Sequence, residues 1–161
     1  METGDENKEN PKFKFCDLLG EEIRADSAYF KYEASVNLAL SSLGLAISTG
    51  SRVNFTRELL EMTDKLHENL IDADVVLSDD HRKKLNHADD VWLDLKSKMN
   101  AGDVRAAYLL AASSHVSNAY GYLSALSDDE RFKDLISEYN LKYLSKLSVF
   151  IYREAIGHVM L

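Results

Sequence analysis

The fold is decided by residues 26–50, DSAYFKYEASVNLALSSLGLAISTG, a stretch that contains no proline and ends at a glycine. Its large apolar residues recur every three or four positions, which is the spacing of one helix face. Those residues are Tyr32, Val36, Leu40, Leu43 and Ile47. Asp26 is placed to cap the first turn and Gly50 to end the last, so the stretch predicts an amphipathic helix.

The same periodicity continues beyond this helix, and the only proline of the chain is Pro11. Short connections between long helices favour antiparallel neighbours. The sequence therefore predicts an all-α protein, an antiparallel five-helix bundle over residues 26–161. The four further helices are predicted at about 54–77, 79–99, 103–126 and 127–155, the third carrying Trp92 and Leu95 and the last with a kink near Asn140.

Residues 1–25 form a separate part of the predicted architecture. They are polar and aperiodic up to Pro11 and then carry four large apolar residues. We expect an extended N-terminal arm whose tip is flexible and whose second half lies on the bundle. The residues predicted to hold it there are Phe13, Phe15, Leu18 and Leu19.

Composition narrows the classes of partner and site. The net charge is −8, which disfavours nucleic acid and anionic membrane surfaces as partners. Cys16 is the only cysteine, so an internal disulfide and a cysteine-rich zinc site are excluded. No hydrophobic leader opens the chain, and charges interrupt its apolar C-terminal stretch, so a cytoplasmic protein is predicted.

Histidines and acidic residues are numerous on the predicted third helix. His81 and His87 are six residues apart, not the three or four that share a helix face, and Asp89 and Asp90 fit a solvated surface. We therefore predict no metal site. No arrangement of residues supports nucleophilic catalysis either, so no catalytic residue is assigned.

Three blocks of sequence resemble one enzyme family. Residues 20–46, with GEEIRAD, VN and LGLA, resemble the motifs GGERVxKD and GTVDELNxxLGLA of the PduO-type ATP:cob(I)alamin adenosyltransferases. Thr3, Gly4 and Asp5 are similar to the TGD of that family's phosphate loop. Residues 143–150, YLSKLSVF, look like its YLNRLSDxLF. The resemblance implies a five-helix bundle that assembles as a trimer, with ATP and corrinoid bound between subunits.

The residues that the family uses for chemistry are largely replaced. The lysine of VxKD falls on Ala25, and the family's D-E-L-N block begins at Asn37. The fourth-helix signature LHxARxxxRRAER maps onto residues 109–121. There, each arginine is replaced by a neutral residue, at Ser113, Ser117, Asn118 and Gly121. Without these cations a triphosphate has few partners, and we expect no adenosyltransferase activity.

Three hypotheses remain open. The first is a catalytically degenerate, adenosyltransferase-like protein that keeps the bundle and a homotrimer and binds a small molecule at the subunit interface. The second is an active enzyme with a rebuilt site, for which ATP and cobalamin would be cofactors. The third is an unrelated helical interaction domain. The residues expected at a ligand site are Thr3, Gly4, Asp5, Asp26, Asn37, His115, Asn118 and Lys146.

Overall fold

The computed structural model describes residues 12–88, 99 and 102–159 of the chain. Within this part the chain forms five helices and one two-stranded sheet. The elements in order are β1 (Phe13–Cys16), β2 (Glu21–Arg24), α1 (Ala28–Ser48), α2 (Val53–Ile71), α3 (Asp79–Asn86), α4 (Val104–Ser127) and α5 (Glu138–Val159). The prediction of a helical domain is confirmed, but the strands show that the chain is not all-α.

The two strands form a hairpin in the region predicted to be an arm. Its turn is closed by Gly20, which has a φ of 69° and donates its N–H to the carbonyl oxygen of Cys16 at 2.8 Å. Cys16 and Ile23 face the core, whereas Phe13 and Phe15 remain 42% and 58% exposed. The prediction that these two phenylalanines hold the segment on the bundle is therefore wrong.

The ends of the first two helices differ in part from the prediction. The N-cap of α1 is Ser27, not Asp26, because the Ser27 hydroxyl accepts the N–H of Tyr29 at 3.2 Å. Gly50 follows α1 with a φ of 76°, as expected of a glycine that ends a helix. The second helix stops at Ile71 rather than at Leu77.

The third and fifth helices are both shorter than predicted. α3 begins after the capping hydroxyl of Ser78, as expected, but ends at Asn86. Trp92 and Leu95, which were assigned to this helix, lie outside the described residues. The fifth helix begins at Glu138 and not at residue 127, so Asn140 lies in its first turn and marks no kink.

The directions of the four long helices follow from contacts near their ends. The ring of Tyr32, early in α1, lies 5.7 Å from that of His67, late in α2, so these helices are antiparallel. Asn140, at the start of α5, donates its side-chain N–H to the carbonyl oxygen of Leu66 at 2.7 Å, so α2 and α5 are antiparallel too.

The remaining long helix, α4, runs in the same direction as α2. Arg105, at the start of α4, donates from Nη2 to the hydroxyl of Thr56, at the start of α2, at 2.7 Å. The four helices form a ring in the order α1, α2, α5, α4, and the short α3 packs on α5. Neighbouring helices in this ring are antiparallel as predicted, and α2 and α4 are parallel, as the second and fourth helices of an up-and-down order are.

The most extensive helix contact is that between α1 and α4. Four small buried residues of α1 form one stripe at helical spacing, and α4 contributes buried alanines. The stripe of α1 consists of Ser35, Ala39, Ser42 and Ala46. Small side chains allow two helices to approach closely, which agrees with the predicted central place of the fourth helix. None of the helices in the described part of the chain has the length and apolar character that crossing a bilayer requires.

Candidate functional site

Serines join α4 to α5 near the middle of both helices. The hydroxyl of Ser113, which is only 6% exposed, donates to the backbone carbonyl oxygen of Ser148 at 2.7 Å. The hydroxyl of Ser148 donates in turn to the carbonyl oxygen of Ser145, one turn earlier on α5, at 2.7 Å. These bonds fix the register of the two helices, and the short side chains leave a depression between them.

The depression is a cavity of about 370 Å³, which we call the serine groove. Its described lining is rich in hydroxyl groups, contains one amide and carries no charge. The lining residues are Ser113, Ser114, Ser117, Asn118, Ser148, Val149 and Tyr152. Such a surface can exchange hydrogen bonds with a neutral polar ligand. The hydroxyls of Ser113 and Ser148 already donate to carbonyl oxygens and can only accept, whereas the other hydroxyls of the lining can donate and accept.

A second cavity of about 420 Å³ adjoins the serine groove and shares Val149 with it. We call it the lysine cavity, because Lys142 and Lys146 are the two charged residues of its described lining. The other lining residues are Ala88, Tyr120, Leu141 and Ser145. The ammonium group of Lys142 also lies 5.1 Å from the centre of the Tyr143 ring, within range of a cation–π contact.

Two of the predicted site residues are brought close together. Asn118 lies in the serine groove and Lys146 in the lysine cavity. Three of the four positions that correspond to arginines in the resembled family, Ser113, Ser117 and Asn118, also line the serine groove. One predicted helix face therefore does form one wall of a cavity.

The other predicted site residues do not join this cavity. His115 is half-buried and lies two positions from Ser113 and from Ser117, which on a helix is nearly the opposite side. Asn37 is exposed on α1, where its carbonyl oxygen accepts the hydroxyl of Ser41 at 2.9 Å. Thr3, Gly4 and Asp5 lie outside the described residues.

Asp26 is engaged in an exposed ion pair at the start of α1. The guanidinium of Arg24 donates to both of its carboxylate oxygens, at 3.0 and 3.1 Å. These hydrogen bonds hold the pKa of the Asp26 carboxyl below its usual range. Arg24 directly precedes Ala25, the position of the lysine in the resembled family, and its guanidinium group is already bonded to this carboxylate.

Sequence reasoning missed most of the serine groove. Ser114, Ser148 and Tyr152 were assigned no role, and Lys142 was not grouped with Lys146. The signal that could have found them is the placing of small hydroxyl residues three or four positions apart on two helices, at 113–117 and 145–148. Small polar residues at facing positions of two packed helices indicate either close packing or a cavity.

Comparison with known proteins gives one family. Residues 15–157 match the family described as "Domain of unknown function (DUF1940)". The match covers the second half of β1, all of β2, α1 to α4, most of α5 and the described lining of both cavities. A comparison with curated proteins finds no significant match.

Proposed function

The chain belongs to the DUF1940 family, and from this premise we propose that it is a binding protein rather than an enzyme. In this proposal it has the bundle of a cobalamin adenosyltransferase without that chemistry, and it binds a neutral polar ligand in the serine groove. The observation that carries the proposal is the lining of that groove. Where the resembled family has arginines, this chain presents Ser113, Ser117 and Asn118 around one uncharged cavity.

The physical reason lies in what a triphosphate requires. A nucleotide tail carries several negative charges, which proteins hold with guanidinium groups, ammonium groups and closely spaced backbone N–H groups. The described lining of the serine groove offers hydroxyls and an amide instead. Such groups do not fit a triphosphate in the manner of the family, but they suit hydroxyl, carbonyl or amide groups of an uncharged molecule.

We expect the full-length protein to form no adenosylcobalamin when it is given ATP and chemically reduced cob(I)alamin under anaerobic conditions. The reason is the loss of the cations that would grip the triphosphate leaving group. The measurement is the change in the visible spectrum of the corrinoid. A PduO-type enzyme in the same cuvette conditions serves as the positive control, and robust turnover by this chain would overturn the proposal.

The alternative, an enzyme with a rebuilt site, is favoured by one observation. Lys142 and Lys146 lie next to the serine groove and could supply positive charge to a phosphate group. The double variant K142Q/K146Q distinguishes the two proposals if any ATP binding is found. Loss of that binding in the variant supports the rebuilt site, whereas equal weak binding of ATP and adenosine by the unmodified chain supports the neutral-ligand proposal.

The proposal also includes assembly into a homotrimer. Leu38 and Leu45 are 50% and 47% exposed and lie seven residues apart on α1, so they share one face of that helix. Exposed leucines on one face are typical of a surface that another chain covers.

We expect light scattering to give a particle of three times 18.2 kDa. The variant L38E/L45E should then be smaller, because charged side chains resist burial in an apolar interface. A matched control is I71E, which changes a 65% exposed apolar residue at the end of α2. A monomer at every concentration of the unmodified chain would show that this part of the proposal is wrong.

A further inference from the structure

A cluster of three potential metal ligands lies between α2 and α3, away from the serine groove. Glu58 of α2 and Asp80 and His81 of α3 each place one ligand atom within 4.8 Å of the other two. Spacing along the chain could not reveal this group, because Glu58 comes from a different helix. His87, which was considered together with His81 at the level of sequence, is exposed beyond the end of α3.

His81 is the unusual member of the cluster. It is only 7% exposed, and its Nδ1 is buried without a hydrogen-bond partner among the residues that the structure describes. Buried polar atoms nearly always have a partner, so the imidazole of His81, one ring nitrogen of which lies within 4.8 Å of both carboxylates, has capacity for a further bond. The backbone N–H of His81 is bonded to the capping hydroxyl of Ser78 at 3.1 Å, which fixes the residue in the first turn of α3.

Lys84 already holds the two carboxylates. Its ammonium nitrogen lies 3.3 Å from Oε2 of Glu58 and 3.2 Å from Oδ2 of Asp80. The hydrogen bond that Lys84 donates to the Asp80 carboxylate is the main cause that raises the pKa of Lys84. One ammonium charge cannot balance two carboxylates, and the described contacts leave Nδ1 of His81 without a bond. The described contacts therefore leave the cluster with one more negative charge than Lys84 balances.

We infer that Glu58, Asp80 and His81 form a binding site for a divalent transition-metal ion of the zinc type, which displaces the ammonium group of Lys84. Two carboxylate oxygens and one imidazole nitrogen are a recognised ligand set for Zn²⁺, with a fourth position left for water. Mg²⁺ and Ca²⁺ prefer oxygen ligands alone, so the imidazole favours a transition metal over them.

The movements that binding requires fall on partly exposed side chains. Metal ligands stand roughly 2.0–2.2 Å from Zn²⁺, so the ion takes the place of the ammonium group between the three ligand atoms. The side chain of Asp80 is 69% exposed and that of Lys84 36% exposed, so both can change rotamer. The buried imidazole of His81 then remains in place, and the carboxylates close on the ion.

The test is calorimetric titration of ZnCl2 into the metal-stripped full-length chain. We expect one saturable site, and we expect H81N to weaken it about tenfold or more, since even losing a partner that only orients a ligand costs that much. E58Q removes a second ligand at a half-buried position and should also weaken Zn²⁺ binding, which keeps the test valid if H81N disturbs the fold. K84M should bind Zn²⁺ more tightly than the unmodified chain, because it removes the competing ammonium.

Two matched controls separate this site from adventitious surface binding. H87N removes an exposed histidine six residues from His81. K65M breaks the ion pair between Lys65 and Glu61, which are 3.5 Å apart and do not belong to the cluster of Glu58, Asp80 and His81. Both should leave the affinity unchanged. The inference is overturned if no saturable Zn²⁺ binding occurs, if H87N loses as much affinity as H81N, or if K84M tightens binding no more than K65M.

Discussion

Replacement of Phe132 by alanine is expected to lower the free energy of unfolding by about 3–5 kcal/mol, the usual range for deleting a buried aromatic ring. Phe132 is 2% exposed although it lies in the turns between α4 and α5. Its ring stacks on that of Tyr29 at a centroid distance of 6.0 Å and an angle of 16°. The contact joins these turns to the start of α1, and urea unfolding followed by circular dichroism measures its loss.

Leu135 supplies a matched control in the same turns. It is 44% exposed, so truncation to alanine leaves no cavity and should change the free energy of unfolding by at most about 0.5–1 kcal/mol. If F132A cost no more than L135A, the stacked ring would not be what holds this segment, and the buried Ile136 and the ion pair of Arg131 with Glu21 would have to hold it.

Residues 127–137 also show why one boundary could not be predicted. Ser127 and Glu130 fit a capping box, and the sequence therefore predicted that a helix begins there. In the structure the carboxylate of Asp129 instead accepts the N–H of Arg131 at 2.8 Å, and the hydroxyl of Ser137 caps the next helix through the N–H of Asn140 at 3.1 Å. Only Ser127 has a glutamate three positions later, so the local capping signal favours the wrong serine, and the turns between the two serines bury Phe132 and Ile136.

The long helices could be predicted because one pattern determines each of them. In α1 the positions expected to face the core, such as Tyr32, Val36 and Leu43, are 2% exposed or less. The end of α1 at Gly50 and the start of α4 after Asp103 follow from capping chemistry that one residue supplies. Periodicity and caps act locally, so the sequence alone is sufficient for them.

The hairpin could not be predicted for the opposite reason. Each strand has only four residues, and a single buried residue, Cys16 in β1 and Ile23 in β2, replaces a full alternation of apolar and polar side chains. Charged residues occupy most of β2. Strand pairing depends on contacts across the turn at Gly20 and with the bundle, so the sequence predicted an extended arm but not its pairing.

The candidate sites also differ in whether their residues lie on one helix or on several. Asn118 and Lys146 were expected at a ligand site because of the family resemblance, and Ser113 and Ser117 are four positions apart on the same helix and so share a face. The cluster of Glu58 and His81 joins two helices and was missed, because no spacing rule relates residues whose closeness depends on tertiary packing.

Replacement of Asn140 by aspartate is expected to be strongly destabilising, although it conserves the size of the side chain. Asn140 is fully buried, and its Nδ2 donates to the carbonyl oxygen of Leu66 at 2.7 Å and to Oδ1 of Asn69 at 3.1 Å. Asn69 extends this hydrogen-bond network, because its Nδ2 donates to the carbonyl oxygen of Val75 at 2.9 Å. These amides join the start of α5 to the end of α2 and to the connection that follows it.

A carboxylate at position 140 can donate to neither acceptor and brings a charge into a buried site. The carbonyl oxygen of Leu66 keeps its bond within α2, but Oδ1 of Asn69 loses its donor at a cost of about 1–3 kcal/mol. The buried charge adds to this cost, so we expect N140D to lower the free energy of unfolding by about 2–5 kcal/mol near neutral pH. Burial raises the pKa of the introduced carboxyl group above its unfolded value of about 3.9. The stability deficit should therefore grow as the pH rises above that value and shrink in acid, where the protonated group can donate one bond.

Asn54 provides the comparison that makes this result specific. It is exposed in the first turn of α2, as Asn140 is buried in the first turn of α5. A negative charge in the first turn of a helix is favourable, so N54D should leave stability unchanged or raise it by up to about 1 kcal/mol. A pH-dependent loss in N140D that N54D does not share would come from the buried amides, because both variants add the same charge at the same kind of helix position. Equal behaviour of the two variants would mean that the helix dipole, and not the network through Asn69, governs this end of the bundle.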